Sequence, residues 1–393
     1  MNVSMPTPVS HSVYIHVPFC TTKCTYCAFN TYTNLEALIQ PFTDAVVNEL
    51  ATVALSQPGT PVHTVFFGGG TPSLLSPEQF DQILAAIRQA YILQPNAEIS
   101  LEANPNDITP AYLTALRAVG LNRLSIGMQS AVESELRLFA RRHDNDAVVH
   151  AVTAARQAGF DNLNLDLIYG IPHQTLDNWR LSLTQAVALR PEHLSLYALG
   201  LEEGTPMHTW VDRGRLPAPD DDLAADMYEL ATEILGSAGY VQYEISNWAK
   251  PGYECRHNLQ YWVNEPYIGV GPGAHGFAGG VRYSTLHSPQ RYFKALQGAP
   301  APADFPRTPA TDQAVVLEQD AEIAETLIMT LRLTRRGVSR ANFADRFGVD
   351  LLDLHGAILD RFARLGLLEI DEQHVRITER GRLLSNLIFR ELV

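Results

Sequence analysis

The chain holds only four cysteines in 393 residues, too few for a disulfide scaffold. The start Met1 to Ser10 is uncharged and contains no apolar signal segment, and the two observations together point to a reducing, cytoplasmic setting. No uninterrupted apolar run is long enough to span a bilayer, so no membrane-spanning helix is expected. Basic residues are scarce as well. The 29 Lys and Arg against 43 Asp and Glu leave a net charge of −14, which argues against nucleic acid as a partner, because neutralising phosphates takes clustered cations. What is plentiful is apolar surface: 46% of the residues are hydrophobic, enough for one large barrel-type domain and a smaller one.

The few cysteines are concentrated. Cys20, Cys24 and Cys27 are spaced C-x₃-C-x₂-C at the end of the strand-like run Ser12 to Pro18. Three thiolates hold three irons of a [4Fe–4S] cube and leave the fourth iron open for chemistry. A structural zinc site would need a fourth ligand, yet Cys255 is distant and no His follows at finger spacing. The cluster reading is therefore preferred.

Six short β-rich runs are each followed by a helix-like segment: Val13 to Val17, Thr64 to Phe67, Ile99 to Glu102, Leu124 to Met128, Leu163 to Ile168 and Leu194 to Ala198. Alternation of this kind predicts parallel pairing. Six units are too few for a closed eight-stranded barrel, so the fold class expected is α/β, a partial (β/α)₆ barrel of the TIM type with its chemistry at the C-terminal strand ends. Pro77 to Ala90 is predicted helical, with Ser76 as N-cap ahead of Pro77 and Leu84, Ile87 and Tyr91 at helical spacing.

Polar residues gather at those strand ends. Gly68-Gly69-Gly70-Thr71-Pro72 follows the second run, and glycines there would let backbone N–H groups cradle a carboxylate. Glu102 ends the third run, Gln129 the fourth, and Asp166 lies within the fifth. Each alone is weak evidence, but polar groups on one barrel face need partners, which a ribose, an adenine and a methionyl group would supply.

These strings, Tyr14-Ile-His-Val-Pro-Phe-Cys20, the cysteine triplet, GGGTP, Glu102, Gln129, Arg141, Asp166 and Tyr169-Gly170-Ile-Pro172, resemble the oxygen-independent coproporphyrinogen III oxidase family of radical S-adenosylmethionine (SAM) proteins over nearly the whole chain. The resemblance implies Cys20, Cys24 and Cys27 as ligands of a [4Fe–4S] cluster. It further implies Tyr14, Tyr26, Gly69, Gly70, Thr71, Glu102, Gln129, Arg141, Asp166 and, at the sixth strand end, Gly200 as SAM contacts. An electron donor for the cluster is implied with them.

Two features choose within the family. The oxidase branch carries a cysteine two residues after the third, where this chain has Phe29. The string His257-Asn-Leu-Gln-Tyr-Trp262 resembles a heme-handling branch, which implies heme as cargo, an acceptor protein and a peripheral contact with membrane-bound acceptors. The residues themselves allow two readings. His257 could ligate heme iron, Tyr261 and Trp262 offer flat apolar surface, and Cys255 would face the same side if the segment were extended. Alternatively, the string is a hydrogen-bonded core corner. Gly269-Val-Gly-Pro-Gly-Ala-His275 follows, a segment able to close backbone on a ligand. The expected function is heme delivery. Its rivals are oxidative decarboxylation of coproporphyrinogen III and a metal-dependent winged-helix regulator.

The Pro/Ala-rich stretch 297–309 reads as a linker. Beyond it, helices at Ala321 to Leu333, Ser339 to Phe347 and Leu351 to Leu365, a hairpin over Leu367 to Thr378 and a closing helix Glu379 to Leu392 describe a winged-helix-like α+β unit. Its acidic residues, among them Asp353, Asp360, Glu369 and Asp371, favour a lid over the barrel mouth or a protein contact rather than DNA. The divisions expected are 1–235 for the barrel, 236–310 for a heme-site extension and linker, and 311–393 for the C-terminal unit.

Overall fold

A computed structural model describes residues 10–392; Met1 to Val9, nearly all of the uncharged start, and Val393 lie outside the described residues. All six apolar runs are strands: β1 (His11–Val17), β2 (Pro61–Gly69), β3 (Ile92–Ala103), β4 (Arg123–Gln129), β5 (Leu163–Tyr169) and β6 (His193–Ala198). They pair in chain order, every neighbour parallel. Their apolar side chains are sealed, with Val13, Ile15, Val65, Phe67, Leu124, Ile126 and Leu165 all at 0% exposure, because helices cover a parallel sheet and leave the strands no wet face. Each such burial contributes about 1.5–3 kcal/mol. The helix Pro77–Ala90 forms as predicted. Ser76 and Gln79 make a reciprocal capping box, and Phe80 meets Phe67 of β2 edge-on at 4.8 Å.

The sheet runs further than the six units. β7 (Val241–Glu244) and β8 (Asn247–Ala249) extend it antiparallel beyond β6. On the other side, β9 (Tyr267–Val270) pairs parallel with β1. Antiparallel β10 (His275–Ala278), β11 (Val281–Thr285) and β12 (Thr311–Val316) then finish a twelve-stranded sheet. The expectation that the glycines of Gly269 to His275 close on a ligand is thus corrected at Gly269 and Gly271. A Cβ at Gly269 would lie 1.8 Å from the His275 carbonyl oxygen, and one at Gly271 2.4 Å from that of His16. These glycines let strands approach each other.

The division expected at 310/311 falls just ahead of β12, which still belongs to the large sheet, and a second core begins with Ile323 and Leu327. That core is enclosed by helices Gln319–Leu331, Arg340–Phe347 and Leu351–Arg364 and a three-stranded sheet of Val338–Ser339, His374–Ile377 and Leu368–Ile370, a winged-helix arrangement. The closing helix is two short ones, Glu379–Leu383 and Ser385–Phe389. The unit docks on β7 and the segment after residue 262. Thr334 donates to the Gln242 carbonyl oxygen, Arg332 pairs with the fully buried Glu244 at 3.3 Å, and Arg346 donates to the Asn264 carbonyl oxygen. Among the described residues no helix is long and apolar enough to cross a membrane.

Candidate cofactor mouth and a second cavity

The C-terminal ends of β2 to β6 surround a cavity of about 340 Å³. Cys20, Cys24 and Cys27, each partly exposed, stand on its rim. The loop that carries them is folded by a Cys27 N–H to Cys24 carbonyl bond and held to the barrel through Thr25, whose hydroxyl donates to Leu138. Thr71 donates to Cys20 Sγ at 3.5 Å, and Arg141 Nη1 to Cys24 Sγ at 3.6 Å. Each thiolate of a cubane serves a different iron, so the three need share a rim and not a point. Among the described residues no three His, Cys, Asp or Glu converge on a single point. The rim has the donor set and the flanking cation that a thiolate cluster needs.

Tyr26, Gly69, Gly70, Thr71, Glu102, Gln129, Arg141, Asp166 and Gly200 line this cavity together. Parallel register explains the convergence: Glu102 pairs with Ser125 and Gly127 with Asp166, so neighbouring strands end at one level. Gln129 adopts φ +63°, a left-handed backbone that is strained for a non-glycine residue and that turns the chain at the cavity wall. Asp166 accepts from Ser125 at 2.7 Å and from Asn164 at 2.8 Å. Burial raises the Asp166 carboxyl, and these bonds partly oppose it. Ser125, Asn104 and Tyr197 also line the cavity. The sequence analysis missed them, although their strand-end positions were the available signal.

One expectation needs correction, and one residue stands apart. Tyr14 lines a second cavity, not this one; its hydroxyl bonds His16 Nδ1 at 2.9 Å, and a Cβ at Gly68 would meet both its ring, at 3.1 Å, and Glu102, at 3.2 Å. The expectation to correct is the open carboxylate nest, because the glycine-segment amides are already paired. Gly69 N–H donates to Glu102, Gly70 N–H to Val17 and Thr71 N–H to Phe19. What the glycines supply is a wall without Cβ atoms, at φ +110° for Gly69.

Burial, with Asp166 nearby, lifts Glu102 from 4.5 to about 7, against the pull of the Gly69 amide. Folding therefore favours its neutral form, and its contribution to stability is full below about 4.5 and lost as pH rises through about 7. At about 1.4 kcal/mol per unit, the swing is of order 3 kcal/mol. Glu102→Gln should accordingly gain thermal stability relative to the ligand-free parent between pH 4.5 and 7 and hold that gain above. A difference independent of pH over this range would contradict the account.

The HNLQYW segment is a helix, Arg256–Trp262, with Cys255 at its N-cap. Buried Glu98 accepts the backbone N–H groups of Arg256 and His257, a carboxylate on a helix N-terminus. His257 is 0% exposed. Its Nδ1 is bonded to Thr64 Oγ1 and its Nε2 to Tyr261 Oη, both at 2.8 Å, and its ring stacks on Phe66 at 5.0 Å. Burial holds it neutral, with its pKa down at about 3. Cys255 is also 0% exposed, and burial pushes its thiol up to about 12. The expectation of His257 or Cys255 as an iron ligand is therefore corrected. Both imidazole nitrogens are hydrogen-bonded, burial disfavours the Cys255 thiolate, and the segment is not extended. The core-corner alternative describes this pair.

Tyr261 and Trp262 do reach a cavity. A second space of about 510 Å³ is lined by them with Tyr14, Tyr267, Phe29 and Met329. The C-terminal unit contributes Met329 here and nothing to the first cavity, which corrects the expectation of a lid over the barrel mouth. Phe29, 66% exposed, borders both cavities.

A partial parallel barrel with three cysteines on the rim of its C-terminal mouth is the architecture of a radical SAM protein. The family profile described as "Radical SAM superfamily" matches residues 14–185, and "HemN C-terminal domain" matches 317–384. The heme chaperone HemW of Mycobacterium tuberculosis is 40% identical over 97% of this chain and 94% of its own length, and that of Bacillus subtilis 37% over 96% and 98%. The mitochondrial radical S-adenosyl methionine domain-containing protein 1 of Bos taurus is 36% identical, covering 96% of this chain and 86% of its own. Coproporphyrinogen III oxidase (HemN) of Escherichia coli superimposes with a TM-score of 0.83 at 25% identity, over 98% of this chain and 90% of that one. The chain belongs to the HemW family.

Proposed function

We propose that this protein binds heme and hands it to an acceptor protein, and that it carries a [4Fe–4S] cluster on Cys20, Cys24 and Cys27 with SAM in the adjoining cavity. One observation carries the heme reading: a second, aromatic-walled cavity of about 510 Å³ shares Phe29 with the cysteine rim, and relatives near 40% identity are named heme chaperones. Tyr and Trp faces suit a flat macrocycle with polar edges. SAM, when bound beside the cluster, supplies the open iron with a chelating ligand. Around it, Glu102 and Asp166 offer acceptors for ribose hydroxyls, Gly69 and Gly70 leave room, and Arg141 holds Cys24. Phe29 replaces the extra cysteine of the oxidase pattern, which favours heme handling over coproporphyrinogen turnover. An electron donor and a peripheral contact with membrane-bound acceptors in the cytoplasm complete the reading. A single anaerobically reconstituted preparation, divided between a hemin titration and a coproporphyrinogen III assay, tests it.

A further inference from the structure

The wall of the second cavity carries three histidines, His16, His275 and His287. His16 is committed. Its Nδ1 bonds Tyr14 Oη and its Nε2 donates to the Asn30 carbonyl oxygen at 3.0 Å. His275, at the start of β10, and His287, just past β11, are exposed, and among the described residues neither ring takes part in a hydrogen bond. The backbone beneath them is fixed. Asn30 donates to the Pro272 and His287 carbonyl oxygens at 2.9 and 3.0 Å, and Tyr32 donates to the latter at 3.2 Å. A Cβ at Gly273 would lie 2.4 Å from the Asn30 side chain, so the turn before His275 fits closely against the cysteine loop. Trp262, on the same cavity, has a buried Nε1 with no partner among the described residues. It is a donor suited to a carboxylate such as a propionate.

Resting on the heme-binding reading above, we propose that heme occupies this second cavity and that its iron is ligated from the His275–His287 pair, not by His257. The assignment follows from availability. An axial ligand must present an uncommitted imidazole nitrogen to the cavity, and of the four histidines considered only these two do so. Flat aromatic walls from Tyr261, Trp262 and Tyr267 receive the ring, and Met329 from the C-terminal unit closes one border. Asn30, three residues past Cys27, joins the histidine-bearing turn to the cysteine loop.

The test is hemin titration of the anaerobically reconstituted full chain, followed by its Soret band and ferric spin state, for the parent, His275→Gly/His287→Gly, each single variant and His257→Gln. Both substituted positions are exposed, so the double variant should keep the parent's far-ultraviolet dichroism. It should lose the imidazole-ligated spectrum and bind hemin more weakly by at least the roughly 10-fold that changes beyond the ligand shell already cause at metal sites. Added imidazole should restore the spectrum, a rescue that a packing role would not give. His257→Gln should keep the parent's band position. A double variant with the parent's spectrum and affinity overturns the assignment while leaving heme binding intact, as does loss of the imidazole band in a folded His257→Gln. If the parent itself shows no saturable Soret band, the heme-binding reading fails and this assignment fails with it.

Discussion

Serine at Cys20, Cys24 or Cys27 should abolish the visible absorption of the anaerobically reconstituted protein and any change in its spectrum on adding SAM, whereas Cys255→Ser should leave both intact. The contrast follows from placement. The first three thiols stand partly exposed on one rim, and Cys255 is wholly buried against Glu98 with a thiol that resists ionisation. A hydroxyl is a poor ligand for cluster iron, and no other cysteine can reach the rim to replace a lost thiolate. Loss of the cluster in Cys255→Ser, with the fold intact by circular dichroism, would contradict the assignment.

Gly70→Val should remove the cluster as well as SAM binding. Read as a ligand nest, this position would weaken SAM and spare the iron. The structure says otherwise, because a Cβ at residue 70 would lie 2.6 Å from the Phe19 carbonyl oxygen, 2.9 Å from that of Val17 and 3.1 Å from Cys20 Sγ. Backbone cannot yield at that separation without moving the strand end that presents Cys20. Iron content after reconstitution and thermal stability should both fall. Retention of full iron with SAM affinity alone reduced, measured calorimetrically, would restore the nest interpretation.

The parallel half of the fold was legible because doubly covered strands are continuous apolar runs, and Val13 to Val17 or Leu163 to Ile168 can be little else. The cysteine triplet was legible for a chemical reason, since a cubane wants three nearby thiolates on a loop. β9 escaped notice because it is four residues long and contains Gly269, which reads as a loop until the His275 carbonyl oxygen is seen against it. The HNLQYW segment misled for a different reason. Its helix begins where Glu98, far away in sequence on β3, caps two amides, and nothing local announces a cap supplied from another strand. Residues within a strand alternate faces, so the neighbours Val13 and Ile15 of Tyr14 enter the core while its hydroxyl turns to His16. His257 is hydrogen-bonded at both ring nitrogens in the core, and the two exposed imidazoles lie at the start of β10 and just past β11, twelve residues apart, where no local pattern joins them.

The account's central claim is that this radical SAM fold serves heme handling and not porphyrinogen decarboxylation. The most direct measurement divides one anaerobically reconstituted preparation of known iron content. One half is titrated with hemin, and the other is supplied with SAM, a low-potential reductant and coproporphyrinogen III. The account predicts a saturable Soret band in the first half and no protoporphyrinogen IX in the second. Sustained formation of protoporphyrinogen IX, with no saturable hemin binding, would contradict it.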